Sequence, residues 1–414
     1  MNKVKLGELL KVKHGYAFKS ENYVEKSQYA LVTLANISDS NNFQFNSLKT
    51  TYYGANFPSE FELKYDDLIM PLTEQVVGLF GNSAFIPHID NIQFVLNQRV
   101  GKVIPFEDKA DKYYLHYLLS TETVRKQLEY RSSGTRQRNI SPNDVYDVTA
   151  FVPELQTQRK IGKLLYDLER KINNNNAIND NLEQQAKFIY DYWFTQFDFP
   201  DENGKPYCSS GGKMVWNEQL KRNIPENWNV VPLLKLVNWE SNSQPPKSEF
   251  VYEPKEGYVR FIQNRDYDSD THITYIPRTK NLSIVDRFDI LMDKYGDAGA
   301  VRYGIEGAFN VALGKICVHN PNYREYIRSF LGSDGIYKFL HNSCMASTRA
   351  SLSEANLAIL NVVVPDEKII LDYENFLHKI RVSILKNKDE TVELINLRDW
   401  LLPMLMNGQA TIAD

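Results

Sequence analysis

A local concentration of positive charge lies between Thr121 and Ile140, where Arg125, Lys126, Arg131, Arg136 and Arg138 stand against only Glu122 and Glu129, a net of +3. Within it Gly134 permits a tight backbone turn, and Thr135, Arg136 and Arg138 follow at a spacing that suits phosphates or guanine edges. A charge run by itself more often marks a solvated helix end, so the patch needs support from the rest of the chain. A second set lies after Met70, with Thr73, Glu74 and Gln75, and in a matching loop after Met292, with Lys294, Tyr295 and Asp297. Gln pairs with adenine and Lys with guanine in a major groove, although an ordinary variable surface loop uses the same residues. Lys13, His14, Lys19, Arg260 and Arg265 are weaker candidates of this kind, and Thr348 with Arg349 is the counterpart of the Arg136 region.

Catalytic chemistry finds no comparable support. No Asn/Asp-Pro-Pro-Tyr/Phe motif occurs, which removes the usual amino-methyltransferase pocket. Gly211-Gly212-Lys213 fails as a phosphate loop because Tyr207 stands where a Walker A glycine is required. Asp366-Glu367-Lys368 lacks nuclease spacing and suits a helix start, where acids complement the macrodipole. The histidines are scattered without zinc-ligand spacing, and Cys208, Cys317 and Cys344 lie too far apart for a zinc knuckle. Neither a catalytic residue nor a metal is expected.

The elements that must position these residues come in two copies. Asn139-Ile140-Ser141 and Val152-Pro153 return as Ser351-Leu352-Ser353 and Val364-Pro365, both at an offset of 212. Asn97 to Val103 answers to Asn310 to Ile316 at 213, Asp67-Leu68-Ile69-Met70 to Asp289-Ile290-Leu291-Met292 at 222, and Asn36 to Asn264 at 228. Such drift is what loops of unequal length produce within one duplicated plan. In each copy, short apolar runs broken by Gly, Pro, Asn and Asp predict a mainly β region with a few short helices.

A long helix then follows in each copy. Ile161, Leu165, Leu168, Ile172, Leu182, Ala186, Ile189 and Trp193 recur in steps of three and four, as do Tyr373, Leu377, Ile380, Ile384, Leu394, Arg398, Leu401 and Leu405. Asn175 and Asn387 occupy the same seam position, where a polar residue sets register because one alignment lets the amides pair. The span from Ile161 to Phe197 covers about 54 Å at 1.5 Å per residue, enough for a spacer. Aromatic groups close both helices, Tyr190, Tyr192, Trp193, Phe194 and Phe197 in one and Trp400 beside Leu401 and Leu402 in the other, and suit packing or docking better than base stacking.

The fold class expected is therefore α+β, with two mainly β domains and two long helices packed as an antiparallel coiled coil in a pseudo-two-fold repeat. The boundaries read as 1–153 and 229–365 for the β domains, 154–198 and 366–414 for the helical spacers, and 199–228 for a Gly- and Pro-rich linker. With 414 residues, more than one domain is the natural expectation. Neither a signal-peptide core nor an apolar run of membrane length is present, and three unpaired cysteines fit a reducing compartment, so a cytoplasmic protein is expected. The net charge of −4 excludes a chain that grips nucleic acid by overall basicity, leaving local patches or a basic partner.

The chain resembles the specificity subunit of type I restriction-modification systems over nearly its whole length. The residues that carry the resemblance are Ser133-Gly134-Thr135 leading to Asn139-Ile140-Ser141, the helix start Val152-Pro153-Glu154-Leu155-Gln156-Thr157-Gln158-Arg159-Lys160-Ile161, and Phe199-Pro200-Asp201-Glu202-Asn203-Gly204-Lys205-Pro206-Tyr207 with Ser209 to Met214. The second copy departs from the pattern at Ala346-Ser347-Thr348-Arg349 and at Asp366-Glu367-Lys368-Ile369. The resemblance implies a non-catalytic subunit whose two target recognition domains each read half of a bipartite double-stranded DNA sequence. It also implies helices that set the unspecified gap and dock two methyltransferase subunits, with restriction subunits joining that core. S-adenosylmethionine, ATP and Mg would belong to those partners. The alternative is a DNA- or protein-binding adaptor of the same fold without methyltransferase partners.

Overall fold

In the strand Leu68–Pro71 all four residues are buried, because it lies between two cores rather than between a core and water. Leu68 and Met70 enter one apolar cluster with Leu10, Val12, Val103 and Tyr114, while Ile69 enters another with Val32, Phe94 and Val100. Its counterpart Ile290–Asp293 divides in the same way, Ile290 and Met292 to one side and Leu291 to the other. Two-sided burial explains why the duplicated Leu-Ile-Met and Ile-Leu-Met runs are continuous rather than alternating.

The structure is a computed structural model that describes residues 1–38, 41–75, 77–268, 272–345 and 351–412. It divides into two units, Met1–Asn174 with Thr391–Asp414, and Asn175–Glu390. The expected boundaries at 153 and 365 fall at the starts of the long helices, whereas this division passes through the helices themselves.

In the first unit an antiparallel sheet runs in the order Leu10–His14, Val100–Pro105, Leu68–Pro71, Ala84–Phe85. A second sheet contains the parallel pair Tyr29–Val32 and Gln93–Leu96. Asn2–Lys5 pairs with Thr149–Val152 and so joins the chain start to the segment before the long helix. The second unit repeats this scheme with Val237–Ser241, Leu313–Val318, Ile290–Asp293, Val301–Arg302, then the parallel pair of Tyr258–Ile262 with Gly307–Phe309, and Asn229–Pro232 with Asn361–Val364. The duplication reaches single side chains: Asp67 pairs with Lys102 at 2.6 Å, and Asp289 with Lys315 at 2.9 Å. One sequence equivalence is corrected. Val32 and Ile262 hold matching places in the parallel pairs, and Asn36 and Asp266 close matching capping boxes on Thr33 and Gln263, so Asn36 corresponds to Asp266 rather than Asn264.

The long helices are Leu155–Tyr190, the central helix, and Glu367–Met406, the C-terminal helix. Within the first unit Ile161 and Leu165 pack with Leu405 and Met406. Within the second, Ala186, Tyr190 and Phe194 pack with Tyr373, Leu377, Ile380 and Ile384. Residue numbers rise along one helix as they fall along the other, which is the antiparallel arrangement expected. The single asparagine rung expected is realised as two neighbouring rungs: Asn175 donates to Glu390 at 2.8 Å and Asn387 donates to Asn179 at 2.9 Å. Both central-helix asparagines are buried, so the register rests on Asn179 as much as on Asn175.

The 199–228 segment, expected as a linker, is ordered against the second unit. Met214–Asn217 and Arg222–Pro225 form a hairpin, and Phe199 stacks between Tyr207 and Trp228 at centroid distances of 4.7 and 4.6 Å. Gly204 and Gly211 serve turns at positive φ, while the apolar residues add to the core.

At the base of the second unit, the helices join the sheets through buried charge. Arg381 donates to Glu325 at 3.1 Å and pairs with Glu183, while Arg328 pairs with Glu325 and donates to the Phe288 carbonyl. The Tyr303 ring lies 4.8 Å from each guanidinium. Nearby, Glu374 accepts from the Glu325 amide at 2.8 Å, and burial pushes its carboxyl up to about 7. Since the folded chain binds this proton more tightly than the unfolded chain, the resulting stability is full below an ordinary carboxylate pKa and is lost as pH rises through about 7. Glu374→Gln should therefore lose about 2 kcal/mol less than the parent between pH 4.5 and 8, allowing for partial exposure. Urea midpoints of both chains across that range check this, and superimposable pH profiles would assign the titration elsewhere.

Candidate nucleic-acid interface

Two segments of the first unit, 64 residues apart in sequence at Glu74 and Arg138, form one short ladder. Thr73–Glu74 pairs antiparallel with Arg138–Asn139, in the register Glu74 to Arg138 and Thr73 to Asn139. This brings the loop after Met70 and the basic Gly134 loop to the same end of the ladder. Gln75 continues from one strand, and Thr135 and Arg136 precede the other; all three side chains are exposed. The turn depends on Gly134, whose φ of 111° is strained for any other residue and whose added Cβ would stand 2.1 Å from the Gln137 carbonyl oxygen.

Beneath this surface lies Glu74, 1% exposed. One of its oxygens pairs with Arg138, and the other accepts the amides of Leu79 and Phe80 at 3.0 and 3.1 Å. Arg138 also lies over the Phe80 ring. Thr73, buried as well, donates its hydroxyl to Asn139 at 2.8 Å. Of the residues singled out in these two loops, Gln75, Thr135 and Arg136 point to solvent, whereas Thr73 and Arg138 are engaged inside the protein.

The remaining candidates are more dispersed. Lys13 is held by Glu60 at 3.1 Å and lies over Phe61, Lys19 is an exposed side chain 3.8 Å from Glu21, and His14 is exposed at the end of its strand. In the second unit Tyr295 is exposed, Lys294 is half-buried and reaches the Ser241 hydroxyl at 3.5 Å, and Arg260 and Arg265 lie 4.0 and 3.8 Å from Asp266. Thr348 and Arg349 lie outside the described residues.

The loop after Met292 has its own buried acid, Asp293, paired with Arg302 at 2.9 Å. Burial raises the Asp293 carboxyl, and the Arg302 bonds oppose that rise. Arg302 lies nine residues further on in the adjacent strand, not in a distant loop, so the two units brace these loops by different partners. Sequence inspection missed Glu74, Asp293 and Arg302 as braces. The available signal was an acid close to the end of a buried strand, Glu74 three residues past Pro71 in one copy and Asp293 as the last residue of its strand in the other. Among the described residues no cluster of His, Cys, Asp or Glu could hold a metal ion, and no helix is long and apolar enough to cross a membrane.

Comparison with known proteins places this architecture. A family model described as the type I restriction modification DNA specificity domain matches residues 1–184. The MjaIX specificity subunit of Methanocaldococcus jannaschii, a type I restriction enzyme subunit, is 23% identical over 77% of this chain and 73% of its own length. The chain is similar to type I restriction-modification specificity subunits, and residues 1–184 match their DNA specificity domain. The HindI specificity subunit of Haemophilus influenzae is also 23% identical, over 70% of this chain and 76% of its own length. Among solved structures, the S subunit from M. genitalium shares the fold with a TM-score of 0.66 and 15% identity, over 98% of this chain and 95% of that one. The α+β organisation of sheet-rich halves and paired long helices is that of the family. A specificity subunit is not the catalytic part of its enzyme, in keeping with the absence of recognisable catalytic motifs from this sequence.

Proposed function

We propose that this chain reads a bipartite duplex DNA target, each unit contributing one half, while the long helices set the gap and dock methyltransferase subunits. One observation carries the reading: the same scaffold is present twice to the level of the Asp67–Lys102 and Asp289–Lys315 pairs, yet the loops projecting from it differ. A duplicated frame with divergent tips suits two half-sites of different sequence. Gln75, Thr135 and Arg136 in the first unit and Tyr295 in the second present exposed side chains for base and phosphate contact. The net charge of −4 leaves part of the non-specific grip to partners. Exposed apolar side chains on the helices, Phe188 and Phe376 in the second unit and Leu397 and Trp400 in the first, supply docking surfaces for methyltransferase subunits, which restriction subunits would join. Adenine methylation, S-adenosylmethionine, ATP and Mg belong to those partners, and the assembly works on DNA in the cytoplasm.

Exchange of residues 1–153 for the matching region of another specificity subunit tests this. Methylation mapping of cells carrying the hybrid and its methyltransferase should show one new half-site, the other half retained. Alteration of both halves together would refute independent reading.

A further inference from the structure

Resting on that reading, we infer that Arg138 is a positioning residue rather than a DNA contact: with buried Glu74 it locks the 73–80 and 133–139 loops into one recognition element, and Arg136 and Gln75 are the groups it presents. Position in the sequence groups Arg136 with Arg138 as two basic residues of one loop. Their environments separate them. Arg136 is exposed, whereas the Arg138 guanidinium is committed to a carboxylate that water does not reach.

Glu74 is the centre of the arrangement because it takes donors from both loops at once. Arg138 comes from one, and the Leu79 and Phe80 amides from the other. A buried carboxylate that loses its cationic partner becomes an uncompensated charge, so the loops hold this geometry or separate. Thr73–Asn139 and the two-residue ladder fix the same juncture from the backbone side. A base contact must be placed within a fraction of an ångström to discriminate, and two loops that move independently cannot supply that. A phosphate would have to share the Arg138 guanidinium with buried Glu74.

The test uses the full chain with its methyltransferase partner, in binding titrations over a salt series. The duplexes carry the mapped target, the same target with one or the other half scrambled, and random sequence. Arg138→Ala and Glu74→Gln should each reduce preference for the half read by the first unit on the order of tenfold. Preference for the other half and the salt slope should stay as in the parent. Arg136→Ala should instead lower the salt slope by about one. Glu74→Gln decides the matter even if Arg138→Ala fails to fold: it keeps the size and shape of the side chain and leaves the Arg138 cation available to DNA. Were Arg138 a phosphate contact, Glu74→Gln would bind as tightly as the parent or more so, and Arg138→Ala would lower the slope by about one; that pattern overturns the inference. Unchanged half-site preference in both variants overturns it too. A parent chain with no preference for either half overturns the proposed function as well.

Discussion

Arg381→Ala should destabilise the 175–390 unit by about 3–5 kcal/mol, a large part of the roughly 5–15 kcal/mol that holds a domain folded. Glu325 is 0% exposed and divides its two oxygens between Arg328 and Arg381. Without Arg381 one of those oxygens loses its partner in a place water does not enter, and Tyr303 loses one of the cations over its ring. Glu183 is less affected, since its side chain is partly exposed and can turn to solvent. The cost therefore lies in the charge left behind rather than in the bond removed. Arg381→Lys should lose less than Arg381→Ala, because a cation again faces the Glu325 carboxylate. Denaturant unfolding with hydrogen exchange resolved by unit provides the measurement. A loss below 1 kcal/mol, or one spread equally over both units, would show that the network is not the brace its burial implies.

Adding one heptad to both long helices, after Asn174 and after Glu390, should widen the recognised gap by about three base pairs. Seven residues add about 10.5 Å at 1.5 Å each, and duplex DNA rises about 3.4 Å per base pair. Seven is the required number because it returns the seam to the same face, so the Asn175–Glu390 and Asn179–Asn387 rungs can re-form. Binding to the original target should fall toward the non-specific level, by about a thousandfold or more, while both half-sequences persist in the new methylation pattern. An unchanged gap would eliminate the helices as the ruler.

The duplicated plan was legible because it depends on short-range periodicity and on residue types that backbone geometry demands. Steps of three and four marked both helices, and the Leu-Ile-Met and Ile-Leu-Met runs marked the strand between two cores. The loops were legible only as locations. Glu74 and Arg138 are 64 residues apart, and no local rule indicates that one neutralises the other. Asn36 and Asn264 share only a residue type, whereas the strand register and the capping boxes pair Asn36 with Asp266. Residues 199–228 read as a linker because Gly, Pro and Ser break the segment at short intervals, while Phe199, Ile224 and Trp228 decide packing.

What the amino-acid order determined by itself was the repeat, the antiparallel helices and the polar seam, since each follows from spacing along one strand or one helix face. Only the tertiary structure decided which charges are available to a partner and which are spent inside. That choice depends on burial and on contacts between distant segments, where a carboxylate removed from water must find a cation wherever the fold brings one.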